Sequence, residues 1–265
     1  MNTLKETILP EVTAGYVNDP SRPVIAYRAD VSHARCREPH AHPRAQVIFA
    51  ISGTMRVQAE QNIWFIPPAQ AVWIPPQISH QVTFPDAVSL CNLFVDPLLT
   101  AGLPKTCIVF NVSPLLRELM RKAGCVGESY RADGPEYRIM QVIIDELELI
   151  EPARLNLPLG SDLRLRKVIG TMLEKPEDTS TLPEWSDRAG ASGRTLARLF
   201  VSETGLTFGQ WRTRLRLLIA TEKLSRGASV GNVAFELGYL NTSAFIEAFR
   251  QVHGETPGHY SKRTR

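Results

Sequence analysis

Two sets of side chains in this chain of 265 residues have the type and spacing to do chemistry. The first is His40, His42 and, further on, His80. Alternate residues of a β-strand point to one face, so His40 and His42 on a strand would enter the same interior, and His80 would join them from a neighbouring strand. Three imidazoles make a first coordination shell for Zn, Fe, Mn, Ni or Cu, with a position open for water or an effector. The same rings serve as well as hydrogen-bonded lining of an apolar pocket for an organic effector. The second set is Arg194 and Arg198, one helical turn apart. Arg bonds guanine O6 and N7 bidentately, or a phosphate oxygen, so this pair points to nucleic acid.

Both arginines lie in a stretch that occurs twice. Over residues 185–200, Leu196, Leu199 and Phe200 fall at helical spacing and leave Arg194 and Arg198 together on the other face. Over residues 241–252, Phe245, Ala248, Phe249 and Val252 form one stripe, opposite Thr242, Ser243, Ile246, Glu247 and Arg250. A shift of about one fifth of the chain lays Leu196 on Phe245, Phe200 on Phe249, Gly205 on Gly254, Thr207 on Thr256 and Ser192 on Asn241. Ser192 and Asn241 are good N-caps, able to accept an N–H that the first helical turn leaves without a partner. With a turn at Gly238 before the second copy, the pattern is helix, glycine turn and capped helix, a helix-turn-helix. Thr181-Leu-Pro-Glu184 and Thr207-Phe-Gly-Gln210 have the form of capping boxes. The helix predicted over 208–224 spans ~25 Å and would act as a strut between the two units. Readers held about 34 Å apart meet successive major grooves on one face of B-DNA.

Ala234-x-x-x-Gly238-Tyr239, Phe245, Phe249-Arg250 and Gly254-x-Thr256-Pro257-x-x-Tyr260 resemble the signature of AraC/XylS-type transcriptional regulators, over roughly the last hundred residues. That resemblance implies seven helices over residues 161–265, two helix-turn-helix units and double-stranded DNA as partner. It places Ser192, Arg194, Thr195, Arg198, Asn241, Thr242, Ser243, Glu247 and Arg250 at the DNA. Arg194 and Arg198 lead for base edges, with a phosphate as the other destination. Thr242 and Ser243 offer less directional readout. Glu247 stands where many relatives carry Arg, and suits cytosine N4 or shape recognition. Arg212, Arg214, Arg216 and Arg250 fit phosphate contacts, or solvated surface.

The first hundred residues read as short strands, at 24–27, 45–51, 55–59, 62–66, 71–74, 80–84 and 89–94, punctuated by Pro and Gly. This is the pattern of a β-barrel or sandwich. His40-Ala-His42-Pro-Arg-Ala-Gln46 followed by Gly53 resembles the first cupin motif with Gln46 in place of its Glu, and Pro75-Pro-Gln-Ile-Ser-His80 resembles the second. The resemblance implies His40, His42, Gln46 and His80 as a site for effector or metal. An amide at position 46 is a poorer ligand for a transition metal than a carboxylate. Trp64 and Trp73 read as core or pocket lining.

From about Asn111 the apolar period changes to that of a helix. Ser113 and Pro114 open one helix, with Leu115, Leu116, Leu119 and Met120 apolar. A second, over 135–150, has the stripe Ile139, Val142, Ile143, Glu146, Leu147 and Ile150, which either packs on the barrel or forms a dimer seam. Residues 151–158 read as an interdomain linker. The organisation expected is therefore α+β: a cupin-like antiparallel barrel over 1–100, a helical connector over 101–158 with a possible role in dimerisation, and an all-α double helix-turn-helix domain over 161–265.

Charge is divided in the same way. Residues 161–265 hold 16 Lys/Arg against 11 Asp/Glu, and the rest 14 against 16, so a basic surface belongs to one end. Cys36, Cys91, Cys107 and Cys125 have no zinc or disulfide spacing and read as free thiols of a reducing cytosol. No leader-like or membrane-length apolar run is evident. The sequence is identified as a cytoplasmic regulator of the AraC type with a short cupin sensor, a group that includes nitroimidazole-resistance-type regulators. Double-stranded DNA and a small-molecule effector are its expected partners, RNA polymerase and a second copy are possible ones, and no membrane is expected. No cofactor is required, though a divalent metal in the barrel fits. The alternative is a metal-dependent cupin enzyme, an isomerase or dioxygenase, carrying a DNA-binding domain.

Overall fold

The computed structural model describes residues 11–153 and 156–263. Residues 1–10, read above for a leader, lie outside them, as do Arg154 and Leu155 of the expected linker. The chain forms two compact units, Met1–Ser52 with Ala69–Ala153, and Gly53–Pro68 with Arg154–Arg265.

In the first unit, a short helix α1 (Glu11–Ala14) precedes strands β1 (Val24–Val31), β2 (Arg35–Cys36) and β3 (Ala45–Ser52). Residues Gly53–Pro68 belong to the second unit. The first resumes with β6 (Gln70–Ile74), β7 (His80–Phe84), β8 (Val88–Val95), β9 (Ile108–Asn111), and helices α2 (Pro114–Val126) and α3 (Pro135–Glu148). Five strands form an antiparallel sheet in the order β1-β8-β3-β6-β9, and β2 pairs with β7. In register, Val47 lies opposite Leu93 and Gln46 opposite Phe94, while Ile48 lies opposite Asn92. The period of two therefore separates two faces. Val47, Phe49, Trp73 and Leu93 turn to one side, where they share a core with Leu116, Met120 and Ala123 of α2 and Met140, Ile143 and Leu147 of α3. Gln46, Ile48 and Asn92 turn to the other side, next to His40.

The α3 stripe thus packs on the sheet. Its buried line runs through Met140, Ile143 and Leu147, and Val142, expected in the stripe, is exposed, as is Leu115 of α2. The Ser113 hydroxyl caps α2 by accepting the Leu116 N–H at 3.0 Å, with Pro114 in the first turn. The seven expected strands are present: those at 55–59, 62–66 and 80–84 keep their bounds, three others gain a residue at one or both ends, and β1, expected to end at Tyr27, runs on to Val31. Three short ones, β2, β9 and β10 (Leu157–Pro158), were not foreseen.

The second unit begins with the hairpin β4 (Met55–Ala59) and β5 (Asn62–Ile66), to which β10 adds through Leu157 and Pro158. Residues 53–68, grouped with the first hundred by their strand pattern, pack here with the helices. Those are α4 (Leu163–Glu174), α5 (Leu182–Ala189), α6 (Gly193–Thr204), α7 (Phe208–Ser225), α8 (Val230–Glu236), α9 (Thr242–His253) and α10 (Pro257–Arg263), seven among the described residues of this region. Ile63, Phe65, Leu157 and Leu159 share one core with Trp185, Leu196, Phe200, Trp211, Leu215, Phe245 and Phe249. The Trp211 indole donates to the Pro158 carbonyl at 2.7 Å. Both capping boxes form: Glu184 accepts the Thr181 N–H at 2.6 Å, and Thr207 and Gln210 bond reciprocally at 2.9 and 3.3 Å.

Helix α7 carries the unit. Its 18 residues span ~27 Å. Residues from Leu215 through Glu222 are buried without interruption, so every side of the helix meets protein there. The acid among them, Glu222, with a side chain only 4% exposed, is met bidentately by Arg56 of β4 at 2.9 and 2.8 Å. Arg56 also lies 4.8 Å over the Phe65 ring, and Arg226 donates to the Thr54 hydroxyl at 2.9 Å. Arg216, expected near phosphate, is instead buried and donates to the carbonyls of Pro176 and Asp178 at 3.0 and 3.2 Å. Arg212 is held by the Ser180 carbonyl at 2.9 Å and by the Phe208 ring. These two guanidiniums fasten the α4–α5 loop, and Arg216, being buried, is corrected from a phosphate contact to a structural group.

Removing one partner of a buried ion pair leaves the other charged and unmatched, at a cost of about 3–5 kcal/mol. Arg56→Ala should lower the unfolding free energy of the chain by about 3 kcal/mol in urea denaturation. The double change Arg56→Met with Glu222→Leu should recover most of that loss. An Arg56→Ala variant as stable as the parent would show that the pair does not hold the hairpin.

Candidate effector site and DNA-reading face

His40 and His80 are set side by side by the backbone. They form an isolated antiparallel bridge in which each N–H donates to the other's carbonyl, at 3.0 and 2.9 Å. His42 follows, its carbonyl accepting the Gln77 N–H at 2.9 Å. The segment from 37 to 44 is not a regular strand, so the bridge, and not the alternation of a strand, gathers the rings. Ring centroids lie 4.3 Å apart for His40 and His80, 5.2 Å for His42 and His80, and 5.9 Å for His40 and His42. One ring nitrogen from each falls within 4.8 Å of the others.

The hydrogen bonds fix the chemistry of those nitrogens. Each Nδ1 faces a backbone carbonyl: Glu38 at 3.0 Å for His40, Arg44 at 2.6 Å for His42, and Ile78 at 2.9 Å for His80. A carbonyl only accepts, so each Nδ1 carries the proton and each neutral ring presents an Nε2 lone pair. Burial lowers the affinity of His42 for a second proton, and pushes the His80 pKa down to about 3. His80 is 1% exposed, and its Nε2 has no hydrogen-bond partner among the described residues. Backbone-anchored Nδ1–H with a free Nε2 is the arrangement that metal-binding histidines adopt.

Gln46 adds a second indication. Its Oε1 lies 3.1 Å from His42 Nε2, and its Nε2 donates to Asn92 Oδ1 at 3.2 Å. Two acceptors facing at that distance repel unless a cation lies near both or the amide is turned over. The residues therefore fit a divalent transition metal: three imidazoles, one of them with an unpaired buried nitrogen, and an amide oxygen. A narrow cleft lined by Arg37, His40, Gln46, Ile48, Val82, Phe84 and Asn92 adjoins them. Asn92 was missed in the sequence, although an amide inside the apolar run Leu90-Cys91-Asn92-Leu93-Phe94 was the available signal. None of the four cysteines is in a disulfide, Cys36 and Cys125 being exposed and Cys91 and Cys107 buried, and burial pushes the Cys91 thiol up to about 12.

At the other site, α5–α6 and α8–α9 are the two helix pairs, with left-handed glycines in their turns, Gly190 at φ 66° and Gly238 at φ 74°. A β-carbon on Gly238 would also stand 3.1 Å from the Arg216 guanidinium, so that turn accepts no other residue without strain. Ser192 and Asn241 cap α6 and α9, accepting the N–H of Thr195 at 3.2 Å and of Ala244 at 2.8 Å. Thr195 is half-buried and its hydroxyl shares a 2.9 Å hydrogen bond with Ser192. These three define the ends of the reading helices more than they reach outward. Arg194, Arg198, Thr242 and Ser243 are exposed. Glu247 accepts from Arg250 at 3.0 Å and Gln251 at 3.1 Å, so its carboxylate is satisfied on its own helix. Phe245 and Phe249 are buried as expected, but Val252 is exposed and lies off the stripe.

Known proteins carry the same two parts. An AraC-like ligand binding domain matches residues 23–166, and a helix-turn-helix domain matches residues 185–263. The chain is 38% identical over 224 residues to the HTH-type transcriptional regulator NimR of Escherichia coli K12, covering 84% of this chain and 82% of that one. To the HTH-type transcriptional regulator RipA of Corynebacterium glutamicum it is 34% identical over 104 residues, 39% of this chain and 31% of that one. Among solved structures, fatty-acid-bound ToxT from Vibrio cholerae is similar at 11% identity with a TM-score of 0.38, over 90% of this chain and 94% of that one. A ligand-binding match over more than half the length, together with a NimR likeness that runs through most of both chains, means that this protein belongs to the AraC family of transcriptional regulators.

Proposed function

We propose that this regulator reads duplex DNA chiefly through α6 and that the effector it senses is a divalent transition-metal ion held by His40, His42 and His80. The observation that carries the sensor reading is the convergence of three imidazoles whose Nδ1 atoms are tied to backbone carbonyls, leaving a buried His80 Nε2 with no partner. Gln46 would complete the donor set and Asn92 would orient it. An ion there would supply positive charge between acceptors that otherwise face one another. It acts as effector only if it binds one conformational state of the chain more tightly than another.

On the DNA side, Arg194 and Arg198 are the exposed guanidiniums of α6, engaged by no carboxylate among the described residues, which suits both to guanine edges or phosphates. Catalysis by a cupin enzyme gains little support. The relatives are regulators, and no carboxylate is among the described residues lining the cleft. Pairing of two copies through the outward faces of α2 and α3, where Leu115 and Val142 are exposed, and contact with RNA polymerase belong to the same reading. So does the cytoplasm as its place of work. Among the described residues no helix is long and apolar enough to cross a membrane.

Arg198→Ala should weaken binding to a selected operator by about 1–3 kcal/mol at fixed salt, with an unchanged circular-dichroism spectrum. Equal affinity would remove Arg198 from the reading face. After chelation and dialysis, titration with Co²⁺ or Zn²⁺ should show about one equivalent bound per chain. Binding should weaken at least about tenfold in His40→Ala, whose ring is only half-buried. The metal should also shift operator affinity. If neither ion binds, or if an organic compound alone shifts that affinity, the metal reading fails.

A further inference from the structure

The two reading helices are unlike in chemistry, and the difference is concentrated at one residue. Leu240, directly before the Asn241 cap of α9, is 101% exposed. An apolar residue at that place ordinarily packs on the fourth residue of the helix as a hydrophobic staple. Here that residue is Phe245, which is already sealed in the core by Tyr239 and Phe249 at ring distances of 5.3 and 5.8 Å. Leu240 is left out of its own fold. The turn that presents it is pinned, with Gly238 and Tyr239 donating to the Phe235 and Ala234 carbonyls at 3.0 Å each.

The first turn of α9 continues the theme. Thr242, Ser243 and Ala244 are all exposed, and none carries charge. Further along, Glu247 and Arg250 neutralise one another. Helix α6, by contrast, presents Arg194 and Arg198. A recognition helix meets base edges with its N-terminal residues. In the major groove the one apolar feature among the four base-pair patterns is the thymine C5-methyl group.

We propose that Leu240, with the Thr242 methyl beside it, reads thymine methyl groups, so that the second helix-turn-helix unit selects T·A-containing sequence by apolar contact while the first selects through arginine. This rests on the DNA-reading assignment above. It makes Leu240 a specificity-determining residue.

The test uses the full chain and an operator obtained by random-oligonucleotide selection. Each thymine is replaced singly by deoxyuridine, which removes only the methyl group, and affinity is read by fluorescence anisotropy. One or two positions in the segment facing α9 should lose about fourfold per methyl, the equivalent of one buried CH₂. Leu240→Ala should lose a similar amount on the thymine operator and show no further loss on the deoxyuridine operator. Its salt slope and melting temperature should equal those of the parent, because the side chain is fully exposed and uncharged. Insensitivity of every thymine, or a methyl effect that persists in Leu240→Ala, overturns the proposal. So does a Leu240→Ala variant with full operator affinity but lost transcriptional output, which would assign the residue to a protein partner. If Arg198→Ala weakens binding while methyl removal does not, only this inference falls. If neither matters, the DNA-reading assignment falls with it.

Discussion

Helix α7 is enclosed on all sides over its middle turns, and this enclosure governs the second unit. A helix with one apolar stripe can rotate or slide at modest cost. One that buries Leu215, Leu217, Leu218, Ile219 and Ala220 in succession cannot, because any rotation exposes as much as it covers. The parts that must be placed relative to one another all hang on it. Phe200 of α6 packs 6.0 Å from Trp211, Ser261 of α10 donates to the Leu224 carbonyl, the α4–α5 loop is held by Arg216, and the β4–β5 hairpin is held by Glu222. The two reading helices therefore belong to one packed assembly, and the difference between the arginine-bearing first turn of α6 and the uncharged first turn of α9 has a fixed order within it.

The histidine cluster depends on a different economy. Burying His42 and His80 is tolerable because burial disfavours their charged forms and each has its Nδ1–H satisfied by a carbonyl. Among the described residues the His80 Nε2 is left without a partner, and a lone pair so placed suits a cation. Gln46 in place of a carboxylate adds no buried charge to the cluster. It also gives up the strong attraction that an acid would have for a metal, which suits reversible occupancy more than a permanent cofactor.

Much of this was legible in the sequence. The strands from 45 to 84 follow from their β-rich composition and their Pro and Gly boundaries, and the caps at Ser113, Thr181, Ser192, Thr207 and Asn241 follow from residue type. The duplicated helix pair was visible as well. The remainder was hidden for physical reasons. Strands of two residues, such as β2 and β10, have no period to detect. Arg216 and Arg198 are the same residue type, and only the packed chain shows that one is buried against carbonyls while the other is exposed. Arg56 and Glu222 are 166 residues apart, beyond the reach of any local pattern. The Nδ1 anchors of the histidines are backbone atoms and leave no trace in residue identity.

The assignment of residues 53–68 to the helical unit has a consequence for engineering. The backbone leaves the first unit after Ser52, contributes a hairpin to the second, and returns at Ala69. A join near residue 154 would part the buried Glu222 from its Arg56, so a chimera that swaps sensors must move the hairpin together with the helices.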